Sequence, residues 1–493
     1  MQLIDWMIVV TYAVFTLSLG WFYSRNQEHS EEYFIGSGKM NPIIVGVSLF
    51  ATLLSTISYL AIPGEVLGKG PIYLSNYIAY PFVFLVVGFV ILPVYMKQRV
   101  TSAYELLENQ LGRNVRLLGC SMFLMLRLVW MSLMIFMTSR ALAIMVDVDE
   151  DWVPLIIVVT SVFSIAYTTL GGIRAVVITD FIQTVLLYGG ALLVIATITW
   201  KMGGFGWFPT QWPTEVWDEQ PIFSLDPSTR VTVVGSILSV FLWTVCTSAG
   251  DQVSIQRFMS TSDTKSARKA IAVQLIVATV VGTTLGLVGI SLLGFFQANE
   301  ALLPIDATLK SQADKLFPHF IAKDLPPVVT GLVVSGLLAA AMSSIDSGIN
   351  SITAVVTTDL LPKDSGKTTS LRSARIIAIT VGVVVVCLSS VIGSVPGNFM
   401  AVTNKTVNLL TVPIALLFFF ALYIPFASTR GVLLGTFCSI VSAFTIAFSG
   451  LIFGLDVNQN DPISFQWISP VSLVVGVSTG LIGSKLFPHP KKT

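Results

Sequence analysis

Charged side chains are scarce in this sequence of 493 residues, because only 11% are Asp, Glu, Lys or Arg while 54% are hydrophobic. A water-soluble protein typically carries about a quarter charged residues, so a soluble enzyme of this size is excluded. The 28 basic and 27 acidic residues leave a formal net charge of +1. Without a basic excess the chain cannot neutralise many nucleic-acid phosphates, which argues against a nucleic-acid partner. The composition indicates a polytopic membrane protein.

Cysteine and histidine are also sparse, with four and three residues respectively. The three histidines lie in polar connections away from any motif, so histidine-based catalysis has no candidate, and we expect no enzyme. The cysteines lie far apart within apolar stretches, which excludes a disulfide framework and a pair-spaced zinc site. They are Cys120, Cys246, Cys387 and Cys438.

What the sequence has in abundance is long apolar runs. A bilayer core about 30 Å thick requires roughly 20 apolar residues per helix, and 13 segments meet that requirement. Continuous hydrophobicity without period-two alternation favours helices over a β-barrel, so we predict an all-α protein without a separate soluble domain. The predicted spans are 4–23, 43–64, 72–96, 116–146, 153–171, 176–200, 231–250, 271–297, 327–358, 373–395, 399–426, 430–453 and 468–486.

The distribution of basic residues predicts the orientation. Arg25 follows the first span and no Lys or Arg precedes it, which argues for an external N-terminus. With 13 spans, 19 Lys and Arg residues fall in loops on the cytoplasmic side and six on the other side. Cytoplasmic loops are enriched in basic residues. We therefore expect a multi-pass protein of the plasma (inner) membrane with a cytoplasmic C-terminus.

One apolar segment, 327–358, carries an unusual set of hydroxyl groups. Its small and hydroxyl residues recur at i, i+3, i+4 and i+7, so they share one helix face, and Asp346 stands at the margin of that face. Oxygen ligands with one or two carboxylates suit a hard cation such as Na⁺. Alternatively, the small residues only let two helices approach, which does not account for Asp346. The residues of this face are Ala340, Ser343, Ser344 and Ser347.

Two other apolar segments carry polar residues with two interpretations each. Segment 43–64 carries Ser or Thr at positions 52, 55, 56 and 58 and ends with a Pro63–Gly64 pair. It is either an ordinary helix that ends at the proline or a helix interrupted near its middle, whose free carbonyls can ligate a cation. Asp180 follows a Gly-Gly pair at 171–172. Its carboxylate is either stabilised by the N–H groups of a first helical turn or takes part in cation binding or gating.

Basic residues within spans suggest where a solute binds. Arg127 and Trp130 lie three residues apart on one helical face, where they can present a cation and an aromatic wall to a solute. Arg127 pairing with a helix end or an acid is an equally good interpretation. Lys405 and Asn404 form a second polar patch, which either faces the transport pathway or serves as a structural hydrogen-bond donor.

Four patches together resemble the sodium/solute symporter family, which includes sodium-coupled sugar, iodide, multivitamin, proline and sialic-acid carriers. The resemblance covers essentially the whole chain and rests on GVSLFATLLSTIS at 46–58, GGIRAVVITDFIQ at 171–183, DQVSIQR at 251–257 and AAAMSSIDSGINSITAVVTTD at 339–359. It implies uptake by alternating access of a small polar solute, anionic or zwitterionic, together with one or two sodium ions. A sodium-coupled sugar carrier of the same family is the alternative.

The resemblance also implies a fold and a division of the chain. The fold is a five-plus-five inverted repeat of the leucine-transporter type, with broken first helices at 43–64 and 231–250, and we expect it to act as a monomer in the lipid bilayer. The divisions are an N-terminal extra helix and loop at 1–42, the first repeat at 43–200, an external loop at 201–230, the second repeat at 231–426, and two C-terminal helices with a short tail at 427–493.

The resemblance assigns ion ligands to particular positions. The sodium site shared by the family corresponds to carbonyls of Ala51, Leu54 and Ala340 and hydroxyls of Ser343 and Ser344. A second sodium site, found in some members, corresponds to Asp180, Ser343, Asp346 and Ser347. In the two-sodium sialic-acid carriers the residue at position 346 is serine. An Asp at that position either strengthens the second site or makes it sensitive to protons.

The residues that recognise the solute in known members are not all present. Sugar carriers have an acid and an amide at the positions of Ile57 and Ser58, and sialic-acid carriers have an arginine at the position of Trp130. The stretch 62–70 is more similar to the iodide, multivitamin and monocarboxylate branch. We therefore expect Arg127 or Lys405 to act as counter-charge. The predicted pocket residues are Ser55, Ser58, Tyr59, Asn76, Arg127, Trp130, Trp243 and Asn404.

Three other classes of membrane protein explain the sequence less well. A channel or passive facilitator favours rings of like charge or dewetted constrictions, whereas the polar residues here form isolated sites. A membrane sensor built on a transporter scaffold usually carries an output domain, and only seven residues follow residue 486. An intramembrane hydrolase would use Asp180 and Asp346 as a pair, yet neither lies in a glycine-flanked motif.

Overall fold

The computed structural model describes residues 1–24, 38–98, 100–217, 221–304, 308–310, 312–361, 371–391, 399–454 and 462–488. Every regular element in these ranges is helical. The polar connections at 25–37 and 362–370 and the tail after residue 488, which contribute to the predicted charge bias, lie outside the described residues.

The helices follow the predicted apolar segments in order. Short 3-10 turns join several of them, and helix α4 contains both 3-10 and π turns. The helices are α1 (Leu3–Ser24), α2 (Pro42–Leu53), α3 (Thr56–Lys69), α4 (Pro71–Gln98), α5 (Glu105–Leu111), α6 (Arg113–Val146), α7 (Val153–Lys201), α8 (Val233–Gly250), α9 (Gln252–Met259), α10 (Thr264–Ala298), α11 (Ala313–Lys323), α12 (Val329–Leu360), α13 (Leu371–Val391), α14 (Phe399–Tyr423), α15 (Thr429–Ala447), α16 (Ser449–Ile452) and α17 (Ile468–Leu486).

In the described part of the chain, 11 helices are long and apolar enough to span a membrane. The pair α2 and α3 passes the same test when taken together, which makes a twelfth. The predicted spans 153–171 and 176–200 correspond to two helical stretches of α7 that meet at a break at Gly172, where φ is 59° and ψ is −171°, both outside the helical range. The second stretch, Gly172–Lys201, is one of the 11 helices counted above. The prediction for 373–395 extends past Val391 into residues outside the described ranges. The structure is thus a multi-pass helical bundle, and the count of 13 stays a prediction.

The predicted interruption of segment 43–64 is present. Helix α2 ends at Leu53, Leu54 and Ser55 adopt extended backbone angles, and α3 leaves at an angle of 68° to α2. The Ser55 hydroxyl accepts a hydrogen bond from the Ser58 N–H at 3.2 Å, so Ser55 caps the new helix. The alternative of a helix that ends at the proline is wrong, because Pro63 lies inside α3 and the helix continues to Lys69.

The prediction that segment 231–250 contains a broken helix is wrong. Helix α8 runs without interruption from Val233 to Gly250, and the break follows it at Asp251. Inside α8 the Thr244 hydroxyl donates to the Val240 carbonyl at 2.8 Å, a bond that a continuous helix allows. The Asp251 carboxylate instead accepts from the Val253 N–H at 3.0 Å and caps α9, so the chain bends there.

Helix α12 lies at the centre of the bundle and is buried on all sides over most of its length. It packs against α1, α2, α6 and α7. The contact with α6 is close at Gly348, where a Cβ atom would lie 2.3 Å from the sulfur of Met131. A helix buried on every face can carry serines and an aspartate only if those groups find partners inside the protein. The partners of the polar residues of α12 must therefore come from the neighbouring helices.

Candidate ion and solute sites

The predicted shared sodium ligands lie where α2 ends beside α12. The last carbonyls of a helix have no donor from the following turn, and the extended backbone at Leu54 leaves those of α2 available. The Ser344 hydroxyl of α12 donates to the Thr52 carbonyl at 3.2 Å, between the predicted carbonyl ligands Ala51 and Leu54. Ser343 and Ala340 stand on the same buried stretch of α12. The structure thus brings the two predicted ligand groups together.

Asp180 connects this junction to helix α7. Its carboxylate accepts hydrogen bonds from the hydroxyls of Ser48 and Ser343, both at 2.5 Å. It also forms an ion pair with Arg257 at 3.2 Å, and both charged side chains are almost fully buried. The carboxylate is therefore held by side chains of α2, α9 and α12. The interpretation that first-turn N–H groups stabilise it is wrong, because Asp180 lies eight residues after the break at Gly172, beyond the first turn of that half of α7. The partners of the carboxylate are the side chains of Ser48, Ser343 and Arg257.

Arg257 was not among the predicted site residues. Besides Asp180, its guanidinium donates to the hydroxyls of Ser48 at 2.9 Å and Ser347 at 2.5 Å. Ser347 is further connected to the Thr52 hydroxyl of α2 at 2.9 Å. The arginine thus contacts two of the four predicted ligands of the second sodium site. Its position at the end of the DQVSIQR patch was the available signal, because a basic residue in a family motif is rarely incidental.

Asp346 faces a different neighbour from the one predicted. One carboxylate oxygen accepts a hydrogen bond from the Thr168 hydroxyl of α7. Within the described ranges, the other oxygen has no hydrogen-bond partner, although the side chain is fully buried. The structure therefore places Asp346 on α12 close to Ser343 and Ser347 but directs its carboxylate toward the half of α7 that precedes Gly172. An isolated buried carboxylate of this kind calls for a counter-charge or a proton.

A cavity of about 160 Å³, partly open to solvent, lies beside the α2–α3 break. Its wall comes from α2, α3, α4, α6, α8, α10 and α14. Six of the eight predicted pocket residues line it, namely Ser58, Asn76, Arg127, Trp130, Trp243 and Asn404.

Two predicted pocket residues lie elsewhere, and the reason is local. Ser55 is occupied as the cap of α3. Tyr59 follows Ser58 on α3, so it points away from the cavity wall and packs against Phe317 of α11 at a ring-centroid distance of 5.6 Å. Neither residue lines the cavity, which corrects both predictions.

The basic residue of the cavity wall is not free. Arg127 of α6 forms an ion pair with Asp251, the residue that separates α8 from α9, and both side chains are buried and line the cavity. Of the two interpretations of Arg127, the structure therefore shows pairing with an acid. Lys405 does not line the cavity, although its neighbour Asn404 does. Asp251 was missed because its partner lies 124 residues away in sequence.

Comparison with known proteins identifies the family of this chain. The profile described as "Sodium:solute symporter family" matches residues 33–438, which is most of the chain. The chain belongs to this family. Its members are sodium-coupled transporters and not enzymes, so the symporter carries sodium as a co-transported ion through a multi-pass membrane bundle.

The chain matches its relatives over most of its length. It is 26% identical to a sodium/sialic acid symporter of Proteus mirabilis (strain HI4320), over 99% of this chain and 96% of the relative. It is also 26% identical to the human sodium-coupled monocarboxylate transporter 1, over 87% and 71% of the two chains.

Solved structures confirm the all-helical membrane-protein fold. A substrate-bound, outward-open Na⁺-coupled sialic acid symporter aligns with a TM-score of 0.84 at 23% identity, covering 99% of this chain and 98% of that one. MhsT, solved with L-phenylalanine, aligns with a TM-score of 0.53 at 14% identity, covering 89% and 98%.

The buried ion pair at the centre of the symporter leads to a stability prediction. Replacing Arg257 by Gln leaves the Asp180 carboxylate buried without its counter-charge, which typically costs about 3–5 kcal/mol. We expect the free energy of unfolding of Arg257→Gln, measured by thermal unfolding in detergent, to be lower than that of the parent by this amount. The double variant Asp180→Asn/Arg257→Gln should be more stable than Arg257→Gln, because it no longer contains an unpaired buried carboxylate.

A matched control is Arg140→Gln, which removes an exposed ion pair with Glu150. Exposed pairs contribute at most about 1 kcal/mol, so this variant should unfold close to the parent. Equal decreases in the free energy of unfolding for Arg257→Gln and Arg140→Gln would contradict the interpretation. A double variant that is no more stable than Arg257→Gln alone would also contradict it.

Proposed function

We propose that this symporter imports a small polar organic carboxylate by alternating access, driven by the sodium gradient. The observation that best supports this proposal is the junction between α2 and α12. There the carbonyls at the unwound end of α2 lie beside the serines of α12, next to a cavity that is lined by Arg127. Relatives that carry sialic acid and monocarboxylates support a carboxylate as solute. The absence of the acid and amide of sugar carriers at Ile57 and Ser58 makes a sugar a weaker choice.

The first sodium ion binds at the α2–α12 junction in this proposal. Its ligands are the carbonyls of Ala51, Leu54 and Ala340 and the hydroxyls of Ser343 and Ser344. Such a set of neutral oxygens suits a hard monovalent cation. Because the ligands come from two helices, sodium holds α2 against α12, and separation of the helices removes ligands and releases the ion.

A second sodium ion is proposed beside Asp180, Ser343, Asp346 and Ser347. In this proposal the carboxylates of Asp180 and Asp346 are ionised, so that together with the Arg257 guanidinium they carry a net charge of −1. One further monovalent cation would neutralise this charge. Binding there requires the Arg257 guanidinium to withdraw from Ser347 and the Asp346 carboxylate to turn from Thr168.

The number of ions sets the accumulation that the carrier can achieve. One charge that crosses 100 mV releases about 2.3 kcal/mol, and a tenfold sodium gradient adds about 1.4 kcal/mol. With a neutral or zwitterionic solute, one sodium ion thus supplies roughly 3.7 kcal/mol, which concentrates the solute several-hundredfold. With a monoanion, the same transfer is electroneutral, and only the gradient contribution of about 1.4 kcal/mol, a factor of about ten, remains. A second ion adds roughly 3.7 kcal/mol in either case.

We propose the finer topology from the charge bias and the family pattern. The 13 spans place the N-terminus outside and the C-terminus in the cytoplasm of the plasma (inner) membrane. The repeats at 43–200 and 231–426 form an inverted pair around the two sites, and a single copy of the chain contains a complete pathway, so the monomer is the functional unit.

The decisive experiment uses the full chain reconstituted in vesicles with a carboxylate solute such as N-acetylneuraminate or lactate. An inward sodium gradient should drive accumulation above equilibrium. An inward current should accompany it if two sodium ions move with each monoanion, whereas transport with one sodium ion is electroneutral. Uptake that is equal in potassium or choline medium would contradict the proposal. Sodium-independent equilibration without accumulation would indicate a passive facilitator.

The shared site leads to a prediction for Ser343→Ala. Loss of one hydroxyl ligand weakens sodium binding, so we expect the sodium concentration for half-maximal uptake to rise at least about tenfold. The matched control is Ser335→Ala on the same helix, whose hydroxyl donates to the Gly331 carbonyl within α12 at 2.8 Å. An unchanged sodium dependence for Ser343→Ala would exclude this serine as a ligand.

The second site leads to a prediction for Asp346→Ser. This change replaces the buried carboxylate by the serine that two-sodium sialic-acid carriers have at this position, so it should alter the Na⁺:solute ratio or the response of that ratio to pH. The ratio is obtained from sodium and solute uptake measured on the same vesicles at several pH values. A ratio identical to that of the parent at every pH would count against a role of Asp346 in ion coupling.

A further inference from the structure

The break between α8 and α9 leaves carbonyls of the last turn of α8 without their usual donors. In a continuous helix each carbonyl accepts from the N–H group four residues later. The Val253 N–H, however, donates to the Asp251 carboxylate at 3.0 Å, and the Ser254 N–H donates to the Asp251 carbonyl at 3.1 Å. The carbonyls of Ala249 and Gly250 therefore need other donors.

Two buried tyrosines supply these donors. The Tyr95 hydroxyl of α4 donates to the Ala249 carbonyl. The Tyr104 hydroxyl, from the connection between α4 and α5, donates to the Gly250 carbonyl at 3.1 Å. Both tyrosine rings pack beside Phe418 of α14, at centroid distances of 6.2 and 5.6 Å. Because the rings are almost fully buried, packing fixes the positions of both hydroxyls.

Gln252, on the other side of the break, is attached to the same connection. Its side-chain amide accepts from the Ala103 N–H at 2.8 Å and donates to the Thr101 carbonyl at 2.7 Å. In the same connection the Ser102 hydroxyl donates to Asp359, near the C-terminal end of α12. The connection between α4 and α5 therefore joins the α8–α9 break to α12.

The break that is fixed in this way forms part of the cavity wall. Asp251 follows the two bonded carbonyls, lines the cavity and pairs there with Arg127. A shift of the break would carry the Asp251 carboxylate away from this pair. Neutral hydroxyls satisfy the carbonyls at this break, whereas carbonyls at the end of α2 are proposed sodium ligands. The α8–α9 break therefore has its donors built into the protein and needs no ion.

We infer that Tyr95, Tyr104 and Gln252 are positioning residues for transport. They hold the α8–α9 break in one geometry, which keeps the Arg127–Asp251 pair in the cavity wall while sodium acts at the α2–α3 break. None of the three side chains lines the cavity, so their effect passes through the backbone of the break. The contrast between the two breaks rests on the proposed sodium site at the α2–α12 junction.

The first test is hydrogen–deuterium exchange of the purified full chain, without solute, in sodium and in choline buffer. Sodium at saturation should slow amide exchange of residues 56–59, after the α2–α3 break, at least about threefold. Exchange of residues 253–255, after the α8–α9 break, should stay unchanged. Slowing of equal size at both breaks would overturn the inference. Slowing at neither break would contradict the proposed sodium site, and the variants below, measured in choline, then decide the inference.

The second test removes the donors one at a time. Tyr95→Phe and Tyr104→Phe keep the ring and remove only the hydroxyl, so exchange of residues 253–255 should rise about two- to tenfold, as expected for the loss of one hydrogen bond. Gln252→Met, which removes both bonds of the amide, should have the same effect. The matched control is Tyr423→Phe, whose exposed hydroxyl donates to a carbonyl of α4 at 3.1 Å. Exchange as slow in all three variants as in this control would overturn the inference.

Transport distinguishes positioning from a general loss of stability. In vesicles with N-acetylneuraminate, Tyr104→Phe should raise the solute concentration for half-maximal uptake at least about threefold, because the Arg127–Asp251 pair is no longer held in place. The sodium concentration that half-saturates the slowing at residues 56–59, measured without solute, should change less than about twofold. A lower maximal rate with both concentrations unchanged would indicate a structural role and overturn the inference. Absence of uptake by the parent would contradict the proposed function alone, because the exchange experiments require no solute.

Discussion

The arrangement of the centre depends on one constraint, namely that backbone groups within a membrane bundle must find partners inside the protein. The chain violates helical pairing at Leu54 and Ser55, in the middle of a spanning segment. The carbonyls at the end of α2 need hydrogen-bond donors or a cation. The serines of α12 lie beside them, and the Ser344 hydroxyl donates to the Thr52 carbonyl. The small residues of α12, its burial on all sides and its packing against α2 and α7 all serve this junction.

A second layer of the design is electrostatic. Asp180 and Arg257 sit in the interior as a pair, and hydroxyls of α2 and α12 supply most of their remaining hydrogen bonds. Such a pair contributes little net stability, but it fixes the geometry of the elements that it joins. Through Arg257 the short helix α9 is attached to α2, α7 and α12 at one place. Gln256 adds to this attachment by donating to Asn350 of α12 at 2.9 Å.

The sequence was sufficient for the helices, the break and the family, because apolar length and clustered hydroxyls are local signals. Ser343, Ser344 and the interruption near residue 54 follow from spacing and polarity within single segments. The partners of Arg127 and Asp180 were out of reach, since ion pairs between residues 124 and 77 positions apart depend on how helices pack. Tyr59 shows the same limit, as the direction of a side chain on α3 depends on which neighbour covers that face. The position of the second break also depended on a cap at Asp251 rather than on composition.

Gly172 has a consequence for how the two acidic positions are related. Its φ of 59° lies in a region that residues with a side chain rarely adopt. Thr168, which binds Asp346, precedes this residue, and Asp180 follows it. The two halves of α7 therefore meet at Gly172, which lies between the residues that hold the two carboxylates. The backbone angles of this one residue therefore set the distance along α12 between the Thr168–Asp346 contact and the contacts of Asp180.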